Sequence, residues 1–173
     1  MNILVTGGSK SGKSAYAERT ALQLSGGMPV LYVATMKARS VEDFAIVRRH
    51  EAYRRGKPFI VVEQEKDLAS LAFQKSKVVI LEDLPNLVAN EFFDGGSIER
   101  IESGIWHVAS MAEHLILITN EIDSDGLRYT DKTCAYMREL GRLNAACAAW
   151  CDLVVECVAG IPVTLKGEPL RCS

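Results

Sequence analysis

Lys13 and Ser14 close the string Gly7-Gly8-Ser9-Lys10-Ser11-Gly12-Lys13-Ser14, which has the form Gly-x4-Gly-Lys-Ser. It directly follows the apolar residues 2–6 and directly precedes a helix-like stretch, the context in which a Walker A loop can hold phosphate. Its glycines let backbone N–H groups converge on phosphate oxygens at a helix N-terminus, where the helix dipole favours negative charge. Lys13 would neutralise the outer phosphates of ATP or GTP, and Ser14 would offer its hydroxyl to Mg²⁺. The alternative is a Gly/Ser-rich turn with no ligand, and the loop, the Lys-Ser pair and both flanks together argue against it.

A magnesium partner is expected as an acid at the end of another parallel strand. Val78-Val79-Ile80-Leu81 runs into Glu82-Asp83, and a second candidate, Glu121, follows residues 115–119 and Asn120. Glu82 is the preferred ligand, with Ser14.

Three histidines remain to be placed. His107 and His114 sit on a stretch of mixed polarity and read as structural. His50 lies among Arg48, Arg49, Arg54, Arg55 and Lys57. One reading is a solvated basic helix face that happens to carry a histidine. The other is chemical: a neutral imidazole is a capable nucleophile toward phosphorus, and its attack on an α-phosphate would expel pyrophosphate while arginines hold the charge.

The elements that must position these groups alternate. Strand candidates are 2–6, 30–35, 59–62, 78–81, 115–119 and 153–158, several of them continuously apolar, as strands covered on both faces should be. A short edge strand at 163–165 would follow Pro162, which is expected to break the ladder. Helices are expected at 13–24, stopped by Gly26-Gly27; from Ser40 to about Arg55; at 67–75, 85–93 and 97–113; and from about Thr130 to Trp150. The pattern predicts one α/β domain over residues 1–173, a P-loop NTPase-type fold with a mostly parallel sheet and helices on both faces.

Composition narrows the partners. A net charge of −2 gives no global reason to expect nucleic acid or an anionic membrane, and no apolar run reaches membrane-spanning length. No signal peptide is expected at the N-terminus. The five cysteines form no C-x-x-C pair; Cys147 and Cys151 would share a helix face without further ligands, which reads as reduced thiols in a cytoplasmic protein rather than a zinc site.

Nearly end to end, the chain resembles the bifunctional cobinamide kinase/cobinamide-phosphate guanylyltransferases of cobalamin biosynthesis. The resemblance is carried by the opening Ile3 to Ser14 with Ala17-Glu18, by Leu31-Tyr32-Val33-Ala34-Thr35, and by Arg49-His50 with Arg54. Leu81-Glu82, Leu87-Val88-Ala89-Asn90-Glu91, Ile118-Thr119-Asn120-Glu121-Ile122, Gly141-Arg142-Leu143-Asn144 and Gly160-Ile161-Pro162 extend it. Departures are local: Glu51 follows His50, Phe59 stands where tryptophan is usual, and Asp83 stands where cysteine is.

The resemblance implies that the loop binds GTP and that His50 carries GMP as a covalent phosphoramidate. It implies that Ala34, Thr35, Met36, Glu51, Ala52, Tyr53, Arg54, Glu63 and Glu82 line the nucleotide site. It further implies a corrinoid substrate, a homo-oligomer (a trimer), and two reactions: phosphorylation of cobinamide with ATP or GTP, then transfer of GMP to give GDP-cobinamide. The rivals are a simple P-loop small-molecule kinase, in which His50 has no chemical role, and a non-enzymatic nucleotide-switched binding module.

Overall fold

The computed structural model describes residues 1–38, 40–41, 45, 48, 52, 54–122 and 128–170. In chain order these form β1 (Asn2–Thr6), α1 (Lys13–Ser25), β2 (Val30–Ala34), β3 (Phe59–Glu63), a single 3₁₀ turn (Leu68–Ser70) and β4 (Ser76–Glu82). There follow α2 (Leu84–Phe93), α3 (Glu99–Ser110), β5 (Ala112–Ile118), α4 (Asp131–Trp150), β6 (Leu153–Val158) and β7 (Ile161–Lys166). The helix expected from Ser40 to about Arg55 falls largely outside the described residues, although Val41, Ala45, Arg48, Ala52 and Arg54 carry helical backbone.

The strands join in one sheet of order β3-β2-β4-β5-β1-β6-β7. Every neighbouring pair is parallel except β6 and β7. Alternate side chains serve two cores. Ile3, Val5, Tyr32, Ile80 and Ile116 pack with Ala17 and Ala21 of α1. Leu4, Val33, Val79, Leu81 and Leu117 face Leu87, Ile105, Leu140 and Leu143 of α2, α3 and α4. Burial on both faces is why the central strands read as unbroken apolar runs rather than as alternating ones. Parallel strands so arranged bring the C-terminal ends of β1, β4 and β5 to one edge of the sheet, where α/β folds collect their ligands.

Three boundaries differ from expectation. The helix expected at 67–75 is absent: after one 3₁₀ turn the chain runs without regular structure into β4. Leu68 packs directly over Gly104 of α3, where a Cβ would come within 2.8 Å of the leucine's own, and this close approach holds the turn down. The helix expected at 97–113 stops at Ser110, because Ala112 already pairs with Ser76 as the start of β5. Pro162 does not break the ladder. It sits opposite Cys157 within β7, which is tolerated because β7 is the edge strand of the sheet formed by the described residues.

Candidate nucleotide-binding site

Residues 7–12 turn tightly between β1 and α1, and two of their glycines are required by geometry. Gly7 has φ +133°, and a Cβ there would run into the Cys157 carbonyl oxygen. Gly12 has φ +96°, and its Cβ would press on Gly160 at 3.2 Å. The loop thus nests against the β6–β7 turn, and Gly160 N–H donates to the Ser11 carbonyl at 2.9 Å. Among the described residues no side chain caps the N-terminus of α1, and no acid lies in its first turn, so its amides are left for an anion.

Lys13 is 8 % exposed, and its Nζ donates to the Gly7 and Gly8 carbonyls at 2.9 and 2.6 Å. Burial lowers its pKa, opposed by the neighbouring Asp83, Cys157 and Glu82. A buried ammonium held by two neutral carbonyls is poised to exchange them for phosphate oxygens.

Glu82 ends β4, and Ser14 Oγ–H donates to its Oε1 at 2.6 Å. Burial pushes the carboxyl up to about 7; the Ser14 bond and Lys13 oppose this, while Asp83 and Glu18 add to it. Asp83, joined to Glu82 by a cis peptide, is also raised by burial, against the pull of Asn86. Its Oδ1 accepts from Asn86 N–H at 2.8 Å and so caps α2. The two acids therefore divide the work: one faces the loop, the other starts a helix.

These groups border a cleft of about 440 Å³ lined by residues 9–15, Glu82, Asp83, Ile118 and Asn120. Of the site residues expected from sequence, Ser9, Lys10, Ser11, Gly12, Lys13, Ser14 and Glu82 meet in it, with Gly7 and Gly8 beneath Lys13. Thr35 is fully buried instead. Its N–H donates to the Glu82 carbonyl at 2.7 Å, and its hydroxyl accepts from Asp83 N–H at 2.9 Å, which fixes the β4 tip. Ala34 and Met36 are half-buried, while Ala52 and Glu63 are exposed; none of these lines the cleft. Arg54 is buried with its guanidinium 3.9 Å above the Tyr32 ring, on the α1 side of the sheet. His50, Glu51 and Tyr53 lie outside the described residues.

Sequence reasoning passed over Asp83 and Asn120 as site residues. Asn120 follows β5, and its place in the cleft depends on β5 lying between β1 and β4. The second magnesium candidate, Glu121, is exposed and borders a separate small hollow with Met137, Leu140, Gly141 and Asn144.

A parallel sheet whose first strand hands a glycine loop and a buried lysine to a helix N-terminus, with an acid on a nearby strand tip, defines a P-loop nucleotide-binding protein. Solved structures agree on the fold. The chain superimposes on a solved ATPase domain with a TM-score of 0.54 at 13% identity, covering 90% of this chain and 68% of that one. It matches the flagellar accessory protein FlaH of Methanocaldococcus jannaschii at 0.53 and 15%, covering 96% and 78%. The chain belongs to the cobinamide kinase/cobinamide phosphate guanyltransferase family, whose family model matches residues 3–165. It is 30% identical to the bifunctional adenosylcobalamin biosynthesis protein CobP of Pseudomonas aeruginosa, over 98% of this chain and all of that protein. It is also 30% identical to the corresponding protein CobU of Escherichia coli, over 96% of this chain and all of that protein.

Proposed function

We propose that this transferase carries out both family reactions: phosphorylation of the aminopropanol hydroxyl of cobinamide by ATP or GTP, then transfer of GMP from GTP to the cobinamide phosphate. The observation that carries the reading is the convergence of Lys13, Ser14 and Glu82 on one cleft in a chain of this family. In the first reaction Lys13 leaves the Gly7 and Gly8 carbonyls for the outer phosphates, and the amides of the loop hold their oxygens. Positioning and charge then do most of the work through a loose transition state.

The site fits Mg²⁺. Ser14 Oγ and Glu82 Oε1, 2.6 Å apart, form a hard all-oxygen pair, and a cation would return Glu82 to the charged form that burial disfavours. Bound there by Ser14 and Glu82, the ion would neutralise charge on the phosphates. In the second reaction His50 attacks the α-phosphorus of GTP and releases pyrophosphate; the cobinamide phosphate then displaces the histidine. Family membership and the Arg48-Arg49-His50 context support that role. Thr35 contributes by holding the β4 tip, and Arg54 by stacking on Tyr32.

A cytoplasmic homo-oligomer, a trimer by family resemblance, completes the reading. Among the described residues no helix is long and apolar enough to cross a membrane. The exposed apolar row Ile161, Val163 and Leu165 on edge strand β7 supports self-association, which sedimentation would test.

The decisive experiment incubates the protein with GTP labelled at the α- or γ-phosphate, denatures it, and follows retained label. Acid-labile, alkali-stable α-label that is absent from His50→Ala is the expected result. GTP binding without α-label would remove the guanylyltransferase half and leave the simple kinase or the nucleotide-switched module.

A further inference from the structure

The tip of β5 is clamped from two sides. Thr119 N–H donates to the Val5 carbonyl at 2.9 Å, tying the tip to β1. Thr119 Oγ1–H donates to Asn144 Oδ1 at 2.7 Å, and Asn144 Nδ2–H donates to the Asn120 carbonyl at 3.3 Å, tying it to α4. One acceptor is left out of this network. Among the described residues Asn120 Oδ1 is closed off from solvent and has no hydrogen-bond partner, and its half-buried residue stands between the phosphate cleft, with Lys13, Ser14, Glu82 and Asp83, and the small hollow beside Glu121, so a turn of the side chain brings the oxygen into the cleft.

A buried amide oxygen without a partner costs roughly 1–3 kcal/mol, and such atoms concentrate where a ligand supplies the missing bond. Phosphate oxygens are acceptors and cannot supply it. The carboxylates beside it, once ionised, cannot either. Lys13 is spent on the Gly7 and Gly8 carbonyls and then on the outer phosphates, so in a cleft filled by a nucleoside triphosphate the neutral donor that arrives beside the terminal phosphate is the hydroxyl of the acceptor alcohol.

We propose that Asn120 holds the acceptor hydroxyl of the kinase reaction, with Asn144 as the residue that positions it; this rests on the two-reaction reading above. Asn120 Oδ1 accepts the O–H hydrogen bond and so turns a lone pair of the alcohol oxygen toward the terminal phosphorus. The new O–P bond forms, and the bridging P–O bond breaks with its electron pair on the departing nucleoside diphosphate. The hydroxyl proton passes to a phosphoryl oxygen. The amide is neutral and takes no proton, so its contribution is orientation.

The test is steady-state transfer of γ-label to cobinamide by wild-type protein, Asn120→Ala, Asn120→Asp and Asn144→Ala, with thermal unfolding followed by circular dichroism. Asn120→Ala is expected to lower kcat roughly 10²-fold while KM for the nucleotide moves less than about threefold. Asn120→Asp falls further, because its charge faces the phosphates. Asn144→Ala shows a smaller loss with the same split between kcat and KM; should it fail to fold, Asn120→Ala carries the test alone. A kcat for Asn120→Ala within about threefold of wild type, or nucleotide KM rising in step with the loss of kcat, overturns the assignment. Wild-type protein that moves no label to cobinamide overturns the two-reaction reading itself, which is a distinguishable result.

Discussion

Two hollows of similar size lie at opposite ends of the sheet, one of about 440 Å³ over the phosphate loop and one of about 400 Å³ beside the edge strand β3. The second is lined by Met28, Pro29, Leu31, Ile60, Val62 and Phe73, with Lys75 and Lys77 among its polar neighbours. The first gathers a buried lysine, two half-buried acids and free helix-start amides. Volume does not distinguish them; strand polarity does. The C-terminal ends of β1, β4 and β5 open onto the first, and residues preceding β2 and β4 line the second. Strand tips that feed helix N-termini present unsatisfied donors, whereas strand starts here present side chains shaped only by packing.

The largest expected effect belongs to Lys13. Lys13→Met keeps most of the side chain's apolar stem and removes its charge, and should lower kcat/KM for phosphoryl transfer by about 10²–10³-fold while cooperative unfolding is retained. A variant that loses its unfolding transition instead would make Lys13 a structural cation, serving the Gly7 and Gly8 carbonyls rather than a nucleotide, and would dissolve the contrast between the two hollows.

The phosphate loop was legible in the sequence because its chemistry is local: glycines, lysine and serine act within one turn of chain. Glu82 was legible as an acid at the end of an apolar run. Asn120 was not, because its importance comes from β5 being inserted between β1 and β4, and strand order is invisible to a local pattern. Thr35 was expected at the nucleotide but is buried against the Glu82-Asp83 backbone, since a resemblance transfers a position and not the direction of its side chain. The 67–75 helix was misread because apolar spacing cannot show that Gly104 offers Leu68 a seat.

A second prediction concerns Glu82 in metal-free protein. Its folded pKa of about 7 stands above the ordinary 4.5, so the folded state binds the proton more tightly than the unfolded chain does. The sign follows: this stability is fully present below pH 4.5 and is lost as pH rises through about 7. The loss should be on the order of 3 kcal/mol. Urea unfolding at pH 5 and pH 8 should show it in the wild type, and Glu82→Gln should flatten the profile and be the more stable protein at pH 8. Equal pH dependence in both would mean that Glu82 is already ionised in the free protein, and the cleft would be less sharply different from its apolar counterpart.

The smallest effect is expected at the other hollow. Ile60 is 55 % exposed on edge strand β3, so little apolar area is removed from water there and Ile60→Thr takes little from the fold. A β-branched residue is kept, which preserves strand preference. Stability should change by no more than about 0.5 kcal/mol, and kcat/KM for either reaction should be unaltered. Activity measured beside sedimentation makes this the sharpest check on the comparison. A loss of activity together with a change of oligomeric state would show that the β3 hollow is covered by another subunit in the working enzyme. A loss without such a change would show that the corrinoid reaches it.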